Sequence, residues 1–306
     1  MQPDSTIRLL CREELDETKW VACIEKAGNN LIYGQQYYLD AATENWWALV
    51  AGDYKTVMPL TWRRKHFFSY LYQPLWCQQL GLFSSTPVST ELTAAFLRKA
   101  KTYFTYGEIC LNYANPIAAS RNRNNYILPL SNDYVLIRQQ YNENLNRNLK
   151  KAATAGLLYE QSTNFAGSID FFRSNYENRI AINESDWTTL HSICKHLQGR
   201  NQLLVRSAVV DNQVLSSCLV LRDQHRLYLL IIATNEKGKT VAASHFIIDR
   251  LIQEFQGQHL LLDFEGSDVP GIERFYAGFG ASNQPYFFYG WNQLPFPFRW
   301  VKPRYL

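Results

Sequence analysis

The chain has 306 residues, 46% hydrophobic and 19% charged, with a formal net charge of +4. That length accommodates two domains of ordinary size, each with its own core, and the composition excludes a disordered chain. The longest apolar run, Leu227–Ala233, is far too short to span a bilayer, and the N-terminus lacks the basic and apolar regions of a signal peptide, so a cytoplasmic protein without a membrane span is expected.

In chain order, Ile7–Arg12 reads as a strand and Leu15–Ala27 as a helix ended by Gly28. A short helical turn over Gln36–Ala42 precedes a meander: Trp46–Val50, Thr56–Trp62 and Phe67–Tyr72, the last two joined by a basic turn at Arg63-Arg64-Lys65. Gln73–Ser85 reads as a loop. Ser89 or Thr90 caps a helix reaching about Thr105, Glu108–Leu111 is a strand, and Pro116–Asn125 is loop-like. Tyr126–Leu130 is a strand, and a long helix runs from Asp133 to Gly156.

A second region of similar design follows. Ser168–Arg179 and Ser185–Leu197 read as helices, and Leu203–Val210, Val214–Leu221 and Arg226–Ala233 as a second meander. Thr240–Phe255 is a helix and Leu260–Glu265 a strand. The tail Trp291–Leu306 alternates Phe296, Phe298 and Trp300 among prolines, which suits an edge strand or a strap across a domain junction. Both halves thus share one order of helices, three-stranded antiparallel meander, helix and strand, which predicts two copies of one α/β unit divided near Leu130.

The richest stretch is Leu260–Ala281. Period-two alternation puts Asp263 and Glu265 on one face of a strand end, Ser267 or Asp268 can cap the next helix, and Pro270 marks its first turn. Ile272, Phe275, Tyr276 and Phe279 form one apolar stripe. With Phe275-Tyr276-Ala277-Gly278-Phe279-Gly280, this corner resembles the last strand and helix of GNAT acyltransferases, although Ala281 stands where Phe is usual. Asp263-Phe264-Glu265-Gly266-Ser267 followed by Pro270-Gly271 and Phe275 is similar to the FemABX-like branch, tandem-GNAT proteins that transfer amino acids from aminoacyl-tRNA to peptidoglycan precursors. The resemblance implies two tandem GNAT-like domains, 1–130 and 131–306, each a mixed, largely antiparallel sheet flanked by helices, with the active site in the second. Where that branch often carries a functional Lys, this chain has Tyr276.

Four groups of residues are candidates for chemistry. By the resemblance, Tyr276 is the proton donor to a leaving group; by its place on the apolar stripe, it is a packed core residue. Asp263 and Glu265 are a like-charged pair in which one carboxyl serves as general base for an amine, or they are helix-capping charges. Asn235, Lys237, Gly238, Lys239 and Thr240, between a strand and a helix, form a phosphate cradle for acyl-coenzyme A or an ordinary capped turn; Gly238 matches the GNAT pattern, Asn235 and Thr240 do not. Arg147, Lys150 and Lys151 share one helix face, either a phosphate-binding patch or a solvated surface. The six cysteines form no Cys-x-x-Cys pair and no histidines sit at ligand spacing, so neither disulfide nor metal is expected. The resemblance implies acyl or aminoacyl transfer to an amine, from acyl-coenzyme A or aminoacyl-tRNA, with a cell-wall precursor as one acceptor class. A non-catalytic binding protein is the reading from another class.

Overall fold

The computed structural model describes residues 7–65, 67–118, 121–176, 182–266 and 268–300, and of residue 300 the backbone only. In chain order the first elements are β1 (Arg8–Cys11), α1 (Glu17–Lys26), α2 (Gln36–Ala42), β2 (Trp46–Ala51), β3 (Thr56–Lys65), β4 (Phe68–Leu71), β5 (Phe83–Ser84), α3 (Thr90–Lys101), β6 (Tyr106–Leu111) and β7 (Arg121–Arg123). Next come β8 (Tyr126–Pro129), α4 (Tyr134–Arg138), α5 (Glu143–Thr154), β9 (Leu158–Ser162), α6 (Phe165–Tyr176) and α7 (Glu184–Gln198). The remainder is β10 (Leu203–Val210), β11 (Gln213–Arg222), β12 (Arg226–Thr234), α8 (Glu236–Thr240), α9 (Ala243–Phe255), β13 (Leu261–Asp263), α10 (Pro270–Ala277), β14 (Ser282–Asn283) and β15 (Tyr286–Asn292).

The chain forms two compact units, but the division falls elsewhere than near Leu130. One unit comprises Met1–Arg123 with Pro285–Leu306, the other Asn124–Gln284. The reason is strand exchange. The first sheet, ordered β1-β2-β3-β4-β6-β15-β7 with β5 on β3, takes β15 from the far end of the chain; the second, ordered β14-β8-β13-β12-β11-β10-β9, takes β8 from before its first helix. β15 lies between β6 and β7, and the tail expected as an edge strand or strap shares only Trp291 and Asn292 with it, since Phe296 and Phe298 lie beyond in a turn and a short 3-10 helix. The rest of the tail, 301–306, falls outside the described residues, as does part of the helix expected over Ser168–Arg179.

In the first unit the expected meander forms, but Arg63-Arg64-Lys65 continues β3 instead of turning, with Lys65 paired to Phe68. β4 and β6 are parallel and pair at Leu71 and Gly107. Beyond that point the chain itself closes the space between them. The Gln73 Oε1 accepts from Cys110 N–H (2.9 Å), Leu80 N–H donates to Cys110 O (2.7 Å), and Asn112 N–H donates to Leu80 O (2.9 Å).

In the second unit the expected single helix from Asp133 to Gly156 is two. Asp133 caps α4 by accepting from Leu136 N–H, and Asn142 restarts the chain as the cap of α5. α5, α9 and α10 cover one face of the sheet, where Leu145, Leu149, Ile247, Ile248, Leu251 and Phe279 pack on Cys218, Val220, Leu227, Leu229, Leu262 and Phe264. α6 packs across β11 and β12 on the opposite face, where buried Ser168 and Ser217 share a 2.7 Å hydrogen bond. Full burial contributes about 1.5–3 kcal/mol for each large apolar side chain, so this face holds the second unit together.

Candidate active site

β12 and β13 run parallel, yet they pair only over Arg226–Tyr228 and Leu261–Asp263. β12 then continues through Leu229–Thr234 with β11 as its only strand partner among the described residues, so the two central strands part. Its register against β11 slips at the same place: Ile231 faces Leu219 while Leu229 faces Val220, which leaves Leu230 as an extra residue. Such a bulge bends the strand and turns backbone groups out of the ladder.

β13 stops for a local reason. The Asp263 Oδ1 accepts from the N–H of Glu265 (3.0 Å), and Glu265 and Gly266 both take left-handed backbone conformations, with φ of +59° and +60°. A left-handed Glu is strained, a condition that clusters at functional sites. The alternation read from sequence therefore breaks before Glu265, and the two carboxylates do not form a repelling pair on one strand face. Asp263 is buried in an ion pair with equally buried Arg226, Oδ2 to Nη1 2.8 Å, and Arg226 also donates to Gln284 Oε1 (3.0 Å). Burial pushes the Asp263 carboxyl up against the pull of that guanidinium. A carboxylate so engaged holds β12 to β13.

Glu265 is different. It is half-buried, and desolvation pushes its carboxyl up to about 8. Tyr276 lies on α10, its ring 4.7 Å from that of Phe264. Burial raises its hydroxyl well above the ordinary value, and the charges of Glu265, Tyr176 and Asp263 add to the effect. Among the described residues that hydroxyl makes no hydrogen bond. Neither carboxylate caps α10, whose cap residue is Val269 with Pro270 next; Asp268 instead accepts from Asn124 N–H (3.2 Å), and Ser267 falls outside the described residues. On the other side of α10, Phe275 meets the ring of His245 edge-on at 4.7 Å, and burial lowers that imidazole to about 4.

The expected phosphate cradle is a short helix in which the N–H groups of Asn235, Gly238 and Lys239 are already bonded. Asn235 caps α8, its Oδ1 accepting from Gly238 N–H (2.7 Å) and its carbonyl from Lys239 N–H (3.0 Å). Lys239 pairs with Glu236 (2.5 Å), Lys237 reaches Gln213 Oε1 (3.4 Å), and Thr240 Oγ1 donates to Lys237 O (2.8 Å). Gly238 is required by packing, since a Cβ there stands 2.3 Å from Leu215 O. The bonded N–H groups and the tight packing at Gly238 weigh against a pyrophosphate here, which needs outward N–H groups and an open backbone.

Arg147, Lys150 and Lys151 are exposed on α5, opposite the buried Leu145, Leu149 and Ala152, and form no ion pair among the described residues. The structure thus gathers Asp263, Glu265 and Tyr276 at the parting strands and leaves the other two groups apart. Tyr176 and Arg226 were missed from sequence. Arg226 carried a signal, a charge heading an apolar strand; Tyr176 carried none. Among the described residues no cluster of three or more His, Cys, Asp or Glu side chains could hold a metal ion, and no helix is long and apolar enough to cross a membrane.

No family model and no curated protein matches the sequence. Solved structures do. The crystal structure of FemX superposes with a TM-score of 0.66 at 12% identity, over 91% of this chain and 97% of its own. A tandem GNAT protein from the clavulanic acid biosynthesis pathway gives 0.54 at 9% identity, over 94% and 99%. The C-terminal domain of a putative lysylphosphatidylglycerol synthetase from Agrobacterium fabrum gives 0.53 at 9%, over 92% and 95%. The chain has a FemABX-like tandem GNAT fold, two mixed, largely antiparallel sheets flanked by helices, as the resemblance at Leu260–Ala281 implies.

Proposed function

We propose that the chain transfers an acyl or aminoacyl group to an amine in the gap between β12 and β13. One conjunction carries this reading: strands that part beyond Tyr228 and Asp263, beside Glu265 with its carboxyl pushed up to about 8. A carbonyl seated in the gap receives a hydrogen bond from a backbone N–H of the bulged stretch Leu230–Ala233. The amine attacks that carbonyl directly, without a covalent enzyme intermediate. Glu265 takes the proton the nitrogen must lose, a task suited to a carboxyl more basic than usual, and Tyr276 returns one to the departing atom. Holding both reactants in the gap supplies much of the acceleration.

The bonded N–H groups of Asn235, Gly238 and Lys239 and the packed Gly238 favour a carrier other than coenzyme A. The exposed strip Arg147, Lys150 and Lys151 suits the phosphates of a tRNA, and the sequence resemblance at Leu260–Ala281 implies a cell-wall precursor as acceptor. The test is paired. Thermal unfolding with coenzyme A or acetyl-coenzyme A gives no shift, while aminoacyl-tRNA binds in a salt-sensitive manner and passes its amino acid to an amine acceptor. A clear rise in melting temperature with acetyl-coenzyme A moves the donor assignment to a thioester. Failure to bind either donor favours a non-catalytic binding protein.

A further inference from the structure

We infer that the first unit carries a docking patch for an anionic lipid surface, formed by the end of β3 with Phe67 and Phe68, together with residues 293–299 after β15. Phe67 is 88% exposed, and Phe296, in the turn after β15, is 82% exposed. Exposed apolar side chains are ordinary when scattered singly, and they mark interaction surfaces when several gather in one patch rimmed by polar residues. The two segments belong to one patch because the rings of Phe68 and Phe298 meet with centroids 5.2 Å apart.

Both segments also carry exposed cations. Arg63, Arg64 and Lys65 end β3, and all three are exposed, as is Arg299. Arg63 lies over the ring of Tyr72 at 4.2 Å, and Arg299, next in sequence to Phe298, is anchored through Nε to Leu294 O (3.2 Å). Arg64 and Lys65 form no ion pair among the described residues. The contributing stretches of sequence are free of acid: no Asp or Glu occurs between Asp53 and Glu91, and none after Glu273.

Basic side chains around projecting aromatics match the chemistry of an anionic bilayer interface, where the rings enter the headgroup boundary and the cations meet lipid phosphates. RNA is the competing partner for a basic aromatic surface. It takes aromatics as flat platforms onto which bases stack, whereas Phe67 and Phe296 project from the tips of turns. The geometry favours insertion. Such a patch would bring the chain to a membrane-borne substrate without any spanning helix, and it stands independently of the transfer chemistry.

Co-sedimentation of the full chain with vesicles tests it. Vesicles of phosphatidylcholine with about 30% phosphatidylglycerol bind the protein, and those of phosphatidylcholine alone bind at least about tenfold more weakly. Phe67→Ser with Phe296→Ser lowers binding to the anionic vesicles about tenfold, and so does Arg64→Glu with Lys65→Glu. All four positions are exposed, so unfolding midpoints stay unchanged and confirm intact variants. The inference is overturned if anionic vesicles fail to pellet the protein at low salt, or if both pairs leave the partition unaltered. It is also overturned if the charge pair weakens binding to total tRNA while vesicle binding persists.

Discussion

Glu265→Gln keeps the shape of the side chain and removes its titration, so it separates two consequences of one buried carboxyl. In the wild-type protein, burial moves that group from 4.5 to about 8. At 1.36 kcal/mol per unit, the interval of about 3.5 units sets a ceiling of about 5 kcal/mol on its effect on folding. The side chain is half-buried, and screening by water reduces the measurable part to roughly 1–3 kcal/mol. Below the ordinary carboxylate range the group is protonated in both folded and unfolded chains. Between there and about 8 only the unfolded chain releases the proton, so wild-type stability falls as pH rises and the loss is complete above about 8. The amide has no such dependence. Urea unfolding from about pH 5 to about pH 9 therefore shows the variant gaining on the wild type by roughly 1–3 kcal/mol across the range. The transfer rate moves the other way. It falls about 10²–10⁴-fold, and the limb that rises towards pH 8 in the wild type disappears. Stability curves that stay parallel over the whole range would falsify the desolvated carboxyl, and an unchanged rate would remove Glu265 from the chemistry.

Tyr276→Phe leaves stability within about 1 kcal/mol, because the hydroxyl has no hydrogen bond to lose among the described residues, while turnover drops about 10²-fold; an unchanged rate means a packing residue only. Asp263→Ala strands the buried Arg226 guanidinium and costs about 3–5 kcal/mol in chemical denaturation, most of which a double change of Asp263→Leu with Arg226→Met restores; a loss under about 1 kcal/mol contradicts the buried pair. Gly238→Ala drives a methyl against Leu215 O and destabilises by about 1–3 kcal/mol, whereas a glycine kept for phosphate contact leaves the melting temperature unmoved.

Periodicity made the secondary structure legible wherever one face of an element is buried. Both meanders, α1, α3 and α9 lie close to their expected positions, because alternation and i, i+3, i+4 spacing report burial directly. What failed lacked that signal. Arg63-Arg64-Lys65 reads as a turn because three successive basic residues show no alternation, yet an exposed strand end pairs its backbone as well as a buried one. The unit boundary was missed because β8 and β15 complete sheets far from them in sequence, and no local pattern records a partner. Asp263 read as half of a carboxylate pair because its true partner, Arg226, is 37 positions away in sequence.

The gap itself shows most clearly where sequence reading stops and packing begins. Both units place a parallel strand beside the third strand of a meander, and in both the pairing is brief: Leu71 with Gly107 in the first, Arg226–Tyr228 with Leu261–Asp263 in the second. The difference lies in what the chain does next. After β4 it sends Gln73 and Leu80 back to satisfy Cys110 and Asn112, so the backbone groups a substrate carbonyl would need are already bonded. After β12 it passes directly into α8, and no such segment pairs with β13 on that side among the described residues. An oxyanion site requires donors left unpaired in the free protein. One topology thus yields a gap that the chain bridges and one that no described segment bridges, and the second alone has Glu265 and Tyr276 near it, which confines the proposed chemistry to the second unit.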